Sequence, residues 1–116
     1  MKIFILKSLH FVRIIKKLIL SAPFLTISFI GNAIVFIFAT IVFFLEKELN
    51  PKIETFLDAI WWSFSTTTTI GYGDVVPITP AGKIVGIALM LIGVAIFAVY
   101  TALFSRAILD DDNYME

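Results

Sequence analysis

The stretch Thr66-Thr67-Thr68-Thr69-Ile70-Gly71-Tyr72-Gly73-Asp74 sets four threonines, two glycines and a carboxylate between two long apolar runs. Neither Pro23 to Leu45 nor Ile84 to Ser105 carries a charge. Each run, rising ~1.5 Å per residue as a helix, is long enough to cross a hydrocarbon core of ~30 Å. The chain has 116 residues, 59% hydrophobic and 16% charged, with a mean hydropathy of +0.99. So few charges could not cover a soluble domain of this size. These features predict an all-α membrane protein with two spanning helices and polar backbone held between them.

Extended backbone at membrane depth cannot face lipid, because each unpaired carbonyl there costs several kcal/mol. It survives inside protein or against water and ions. Gly71 and Gly73 admit positive φ, so successive carbonyls can be turned the same way instead of alternating. One such ladder of oxygens encloses nothing. Four copies about an axis would form rings able to replace a cation's hydration shell, with the Thr69 hydroxyl closing the ladder at its inner end.

The flanks supply the scaffold. Asn50-Pro51 marks a turn. From Thr55 the sequence Phe-Leu-Asp-Ala-Ile-Trp-Trp-Ser-Phe-Ser reads as a helix too short to span, hence re-entrant or interfacial. The boundaries expected are an outer helix over 22–46, a pore helix over 55–67, the extended stretch over 69–73 and an inner helix over 81–108, making one pore domain over 22–110. Pro77 and Pro80 are expected to delay the inner helix until Ala81. Gly31 and Asn32 inside the first run suggest close helix packing and an interhelical hydrogen bond.

Residues 1–21 read as an amphipathic helix on the membrane surface. Lys2, His10, Arg13, Lys16 and Lys17 share one half of its wheel, and Phe4, Phe11, Val12, Ile15 and Ile19 the other. Anionic headgroups near Lys2, Arg13, Lys16 and Lys17 are the expected partner, and His10 is expected to be solvated. Lys7, Arg13, Lys16 and Lys17 interrupt any apolar core of signal-peptide length. Five of the nine basic residues precede the first span, which predicts cytoplasmic termini in a multi-pass protein of the cell membrane. Residues 111–116 form an acidic tail expected to be disordered; the run Asp110–Asp112 reads as solvated charge in preference to a divalent-cation site. The chain has no cysteine and one histidine. It shows no nucleophile–base constellation, so an enzyme is not expected, nor is a nucleic-acid partner.

The residues Trp61 to Pro77, WWSFSTTTTIGYGDVVP, resemble the pore loop of tetrameric potassium channels, and the chain resembles their two-helix prokaryotic pore module over about residues 23–109. The family's filter pattern, Thr-Val/Ile-Gly-Tyr-Gly-Asp, is met by Thr69, Ile70, Gly71, Tyr72, Gly73 and Asp74. The resemblance implies a homotetramer passing dehydrated K⁺ passively through rings of carbonyls from Thr69, Ile70, Gly71 and Tyr72, with the Thr69 hydroxyl as a further ligand and Gly73 shaping the outer mouth. K⁺ is then the permeant ion, and no organic cofactor is implied. Trp61 and Trp62 would form an aromatic cuff around Ile70 and Tyr72, and Asp74 would accept a hydrogen bond from Trp62.

The second span aligns with the family's inner helix. Thr68, Val94, Phe97, Thr101 and Ser105 would line the cavity, and Gly93 stands where a hinge glycine occurs, with helix packing as its other reading. Ser65 departs from the pattern, since many bacterial members carry a glutamate there paired with the aspartate. Inactivation linked to that pair is therefore not carried over. Two other functions compete: a weakly selective cation channel, and a regulatory or assembly subunit that does not conduct. No Arg-rich voltage-sensing helix precedes the first span in this sequence, and any cytoplasmic gating domain is expected to lie outside this chain.

Overall fold

The computed structural model describes the backbone of residues 1–115 and side chains through Asp110. Four helices follow one another: α1 (Lys2–Ile19), α2 (Ala22–Glu46), α3 (Phe56–Thr67) and α4 (Pro80–Met115). There is no strand among the described residues. Two helices have the length and apolarity to cross a membrane, over Ala22–Glu46 and Pro80–Asp110. Most of their surface is exposed on the single chain, as expected of helices whose solvent is lipid or a neighbouring subunit.

The ends of α3 and α4 follow local chemistry. Thr55 caps α3, its hydroxyl accepting the Asp58 amide at 3.3 Å. The Asp58 carboxylate accepts the Thr55 and Glu54 amides at 3.0 and 3.1 Å. This capping box satisfies donors that the first turn leaves without helical partners. Thr79 caps α4 by accepting the Gly82 amide at 2.9 Å. Pro80 is the first residue of α4 and not a barrier to it, because the first helical position needs no amide donor. At its other end α4 runs to Met115, past the expected 108 and into the segment expected as a disordered tail. The side chains of Asp111 and Asp112 lie outside the described residues; Asp110 pairs with Arg106 at 3.6 Å.

The chain divides into two compact units. Residues 30–97 carry the main core, in which Ala39 and Val42 of α2, Ile53 of the connecting segment, Ala59 and Trp62 of α3 and Leu89 of α4 are buried together. α3 is anchored to α2 by a buried hydrogen bond from the Ser63 hydroxyl to the Val35 carbonyl at 2.9 Å. Gly31 is buried with Ile96 against it, in line with the packing expected of it. Asn32 beside it is exposed on the single chain.

Residues 1–29 and those from Ala98 onward form the other unit. Here Phe24 of α2 meets the rings of Tyr100 and Phe104 edge-on at 5.3 and 6.2 Å. The hydroxyls of Ser28 and Tyr100 share a hydrogen bond of 2.6 Å. His10 is half-buried and partnered, in contrast to the solvated side chain expected.

Candidate functional site: the loop between the two spans

After Thr67 the helix stops and the chain turns. Thr68 bonds its hydroxyl back to the Phe64 carbonyl at 2.6 Å, and its amide bonds to the same oxygen at 3.0 Å. Positive φ then recurs at every second residue: Thr69 at 64°, Gly71 at 59° and Gly73 at 80°. Ile70 and Tyr72 between them are not positive. An alternation of sign in φ turns successive peptide planes toward a common side, the opposite of the alternation in a strand. At Gly71 and Gly73 an added Cβ would touch nothing, so glycine is needed there for φ and not for space. Thr69 enters the same region with a β-branched side chain, a conformation costing about 1–3 kcal/mol that the surroundings must offset.

Ser65, one turn back in α3, holds this backbone. Its carbonyl accepts the Gly71 amide at 3.0 Å, and its hydroxyl accepts the Tyr72 amide at 3.2 Å. With those two amides satisfied from behind, the carbonyls of the stretch are left for other partners. Tyr72 stacks on Trp61, the ring centroids 5.5 Å apart and 13° from parallel. The Trp61 indole donates to Asp74 at 2.9 Å.

The bond to Asp74 corrects the expectation that assigned it to Trp62. The two tryptophans are adjacent on α3 and so point about 100° apart. Trp62 is buried, its ring against Gly86 of α4, which leaves Trp61 as the one facing the loop.

The return from the loop is clamped by two residues whose part the sequence did not reveal. Glu46, the last residue of α2, is fully buried. Its Oε1 accepts the amides of Ile78 and Thr79 at 2.7 and 3.0 Å and the Thr79 hydroxyl at 3.1 Å. Its Oε2 is buried without a hydrogen-bond partner. Asn50, also buried, donates to the Val76 carbonyl at 2.8 Å and accepts the Lys52 amide at 3.0 Å. The one clue was an acid abutting a long apolar run; its partners are backbone groups more than thirty positions away, which no local pattern announces.

The inner-helix residues fall into two kinds. Gly93 packs against α3 so closely that a Cβ would lie 2.9 Å from the backbone of Thr67. Val94 and Phe97 are 59% and 51% exposed, and Thr101 and Ser105 are exposed as well. A groove of about 730 Å³ opens between α3 with its loop and α4, lined by Trp62, Ser65, Thr69, Gly86, Met90 and Val94 among others. Ile70 and Tyr72 are likewise exposed on the single chain, at 56% and 63%. No cluster of three or more metal-ligating side chains occurs among the described residues.

Known proteins are similar to this chain. A family profile described as an ion channel matches residues 25–110. A voltage-gated potassium channel of Aeropyrum pernix is 56% identical over 46 residues, 40% of this chain and 16% of the relative. The putative potassium channel protein YugO of Bacillus subtilis is 36% identical over 84 residues, 72% of this chain and 25% of the relative. The potassium voltage-gated channel protein Shal of Drosophila melanogaster is 48% identical over 65 residues, 55% of this chain and 11% of the relative. The chain thus matches a quarter or less of the length of these relatives. Among solved structures, a voltage-gated K⁺ channel pore module in a closed state in lipid membranes superposes with a TM-score of 0.63 at 31% identity. That match covers 75% of this chain and 91% of the pore module.

Proposed function

The chain belongs to the ion channel family, with the two-helix pore architecture of its potassium-channel relatives, and from that premise we propose that it forms a K⁺-selective pore as a homotetramer. The observation that carries this reading is the alternation of positive φ at Thr69, Gly71 and Gly73, with the Gly71 and Tyr72 amides held by Ser65. Such backbone offers carbonyl oxygens without needing a charged side chain. Four copies about an axis convert one ladder into stacked rings of oxygen from Thr69, Ile70, Gly71 and Tyr72, with the Thr69 hydroxyl below them. The rings substitute for the water a K⁺ ion sheds on entry, and neighbouring ions repel one another onward. Selectivity against Na⁺ rests on the number and field of the oxygens and on how firmly Ser65, Trp61 and Asp74 hold them.

Exposure supports assembly. Tyr72, Ile70, Val94 and Phe97 leave large apolar area uncovered on one chain, and three further copies would cover part of it while leaving a cavity lined by Thr68, Val94, Phe97, Thr101 and Ser105. α3 would direct its C-terminal partial negative charge toward that cavity. The basic stretch before α2 supports cytoplasmic termini and a place in the cell membrane. At Gly93 the close contact with Thr67 supports packing as its first role. Purified protein reconstituted in sealed vesicles tests the reading. Uptake of K⁺ driven by a K⁺ gradient is the expected result, and an intact tetramer that passes no ion would overturn it in favour of an assembly subunit.

A further inference from the structure

Resting on the pore reading above, we propose that Asn50 is a positioning residue for the outer end of the ion path. Its side-chain nitrogen holds the Val76 carbonyl, and that hold keeps the backbone of Gly73 and Asp74 in the geometry that selection needs. The first observation is how completely Asn50 is used. It is buried, with 3% of its surface exposed. Its main-chain amide donates to the Glu46 carbonyl at 2.7 Å, and its main-chain carbonyl accepts the Ile53 amide at 3.1 Å. Its Oδ1 accepts the Lys52 amide at 3.0 Å, and its Nδ2 donates to the Val76 carbonyl at 2.8 Å. The Glu46 bond ties Asn50 to the end of α2, and the Ile53 bond ties it to a fully buried core residue. The Val76 bond alone leaves this turn, reaching 26 positions along the chain.

The second observation separates this contact from ordinary turn chemistry. Asn and Asp both close turns by accepting the amide two residues on, and the bond from Lys52 is that contact. Donation to Val76 needs the amide nitrogen, which an aspartate lacks. Turn formation alone therefore leaves half of this side chain without a purpose.

The third observation is where Val76 sits. The return of the loop is fastened at every second residue, each time to a different element. Asp74 is held by Trp61 of α3 at 2.9 Å, Val76 by Asn50 of the connecting turn, and the Ile78 amide by Glu46 of α2 at 2.7 Å. The Asp74 bond is made by an exposed side chain. Among the described residues, the Val76 carbonyl is the one backbone group between the Tyr72 and Ile78 amides that takes a hydrogen bond. Gly73, at a φ of 80°, has no Cβ to restrict it. Its conformation depends on backbone tied on either side, Tyr72 at Ser65 and Val76 at Asn50. Freeing Val76 leaves residues 73–77 held through the Asp74 side chain.

The test compares the parent chain with Asn50→Asp and Asn50→Ser, each reconstituted in bilayers at full length. Asp keeps an oxygen for the Lys52 amide and loses the donor to Val76. Ser also serves the turn, but its hydroxyl is one bond too short for Val76. Hydrogen exchange read by mass spectrometry should show residues 73–76 opening about tenfold faster in both variants. Residues 47–53 should exchange near the parental rate, and the K⁺/Na⁺ permeability ratio should fall. Faster exchange confined to 47–53, or parental exchange at 73–76, would overturn the proposal. Faster exchange at 73–76 with an unchanged permeability ratio would overturn it as well. If Asn50→Asp fails to assemble, Asn50→Ser decides, because it brings no charge into the buried site. A parent that selects no ion fails the pore reading; variants that exchange and select like a selective parent fail this one.

Discussion

The hydroxyl of Ser65 accepts the amide of Tyr72 at 3.2 Å, so the centre of the loop is fastened to the short helix by one neutral side chain. The carbonyl of Ser65 takes the Gly71 amide beside it. Replacing Ser65 by Ala removes one bond and leaves a backbone donor to find another partner. A loss of about 1 kcal/mol in stability is expected, read as a lower dissociation temperature of the assembly. The K⁺/Na⁺ permeability ratio should fall with it. Because Ser65 is neutral, the currents of the parent chain should show little decay under steady activation; rapid decay abolished by changing Ser65 would contradict that.

Glu46 is the more consequential anchor. Glu46→Ala would orphan three donors, the amides of Ile78 and Thr79 and the Thr79 hydroxyl, in a buried setting. A loss of about 3 kcal/mol or more is expected. Glu46→Gln keeps an oxygen for those donors and should cost less. Thermal denaturation of the reconstituted protein separates the two, and equal destabilisation by both would argue against the clamp.

Gly93→Ala places a methyl group 2.9 Å from the backbone of Thr67, where no flexible side chain can yield. The expected penalty is about 1–3 kcal/mol, with the end of α3 displaced and conduction reduced. If Gly93 mattered only as a hinge, Ala would change opening and closing while leaving stability intact. Measuring denaturation and single-channel open times on the same variant distinguishes the roles.

Asp58 supplies a pH-dependent element at the start of α3. The Thr55 backbone hydrogen bond, with further bonds from the Thr55 side chain and the Glu54 backbone, holds its carboxyl below the ordinary aspartate value despite opposing desolvation. A lowered folded value means the cap stabilises fully above the unfolded aspartate pKa of about 3.9. That contribution fades as pH falls through the lowered value. Asp58→Asn should therefore flatten the acid limb of the stability profile; an unchanged limb would show that other groups set it.

Much of this was legible in the sequence because it rests on local rules. The uncharged runs gave the spans, the Asn50-Pro51 turn and the short apolar run after Thr55 gave α3, and the two glycines announced positive φ at 71 and 73. The left-handed Thr69 was not legible, since a β-branched residue is the last expected there and only tertiary restraint holds it. The choice between Trp61 and Trp62 turned on which face of α3 meets the core, a fact of packing. Glu46 and Asn50 stayed hidden because each reaches backbone groups far along the chain. The inner helix expected to end at 108 runs on to Met115, because a long helix can continue through charged residues once it leaves the apolar layer.

On the proposed function, alternating backbone at Thr69, Gly71 and Gly73, assembled fourfold, selects K⁺. The most direct test is the reversal potential of the purified protein in a planar bilayer with K⁺ on one side and Na⁺ on the other. The expected reversal lies far from zero, in the direction of K⁺ selectivity, and moves toward zero in Gly71→Ala, whose side chain opposes the required φ. A parent chain reversing near zero would contradict it.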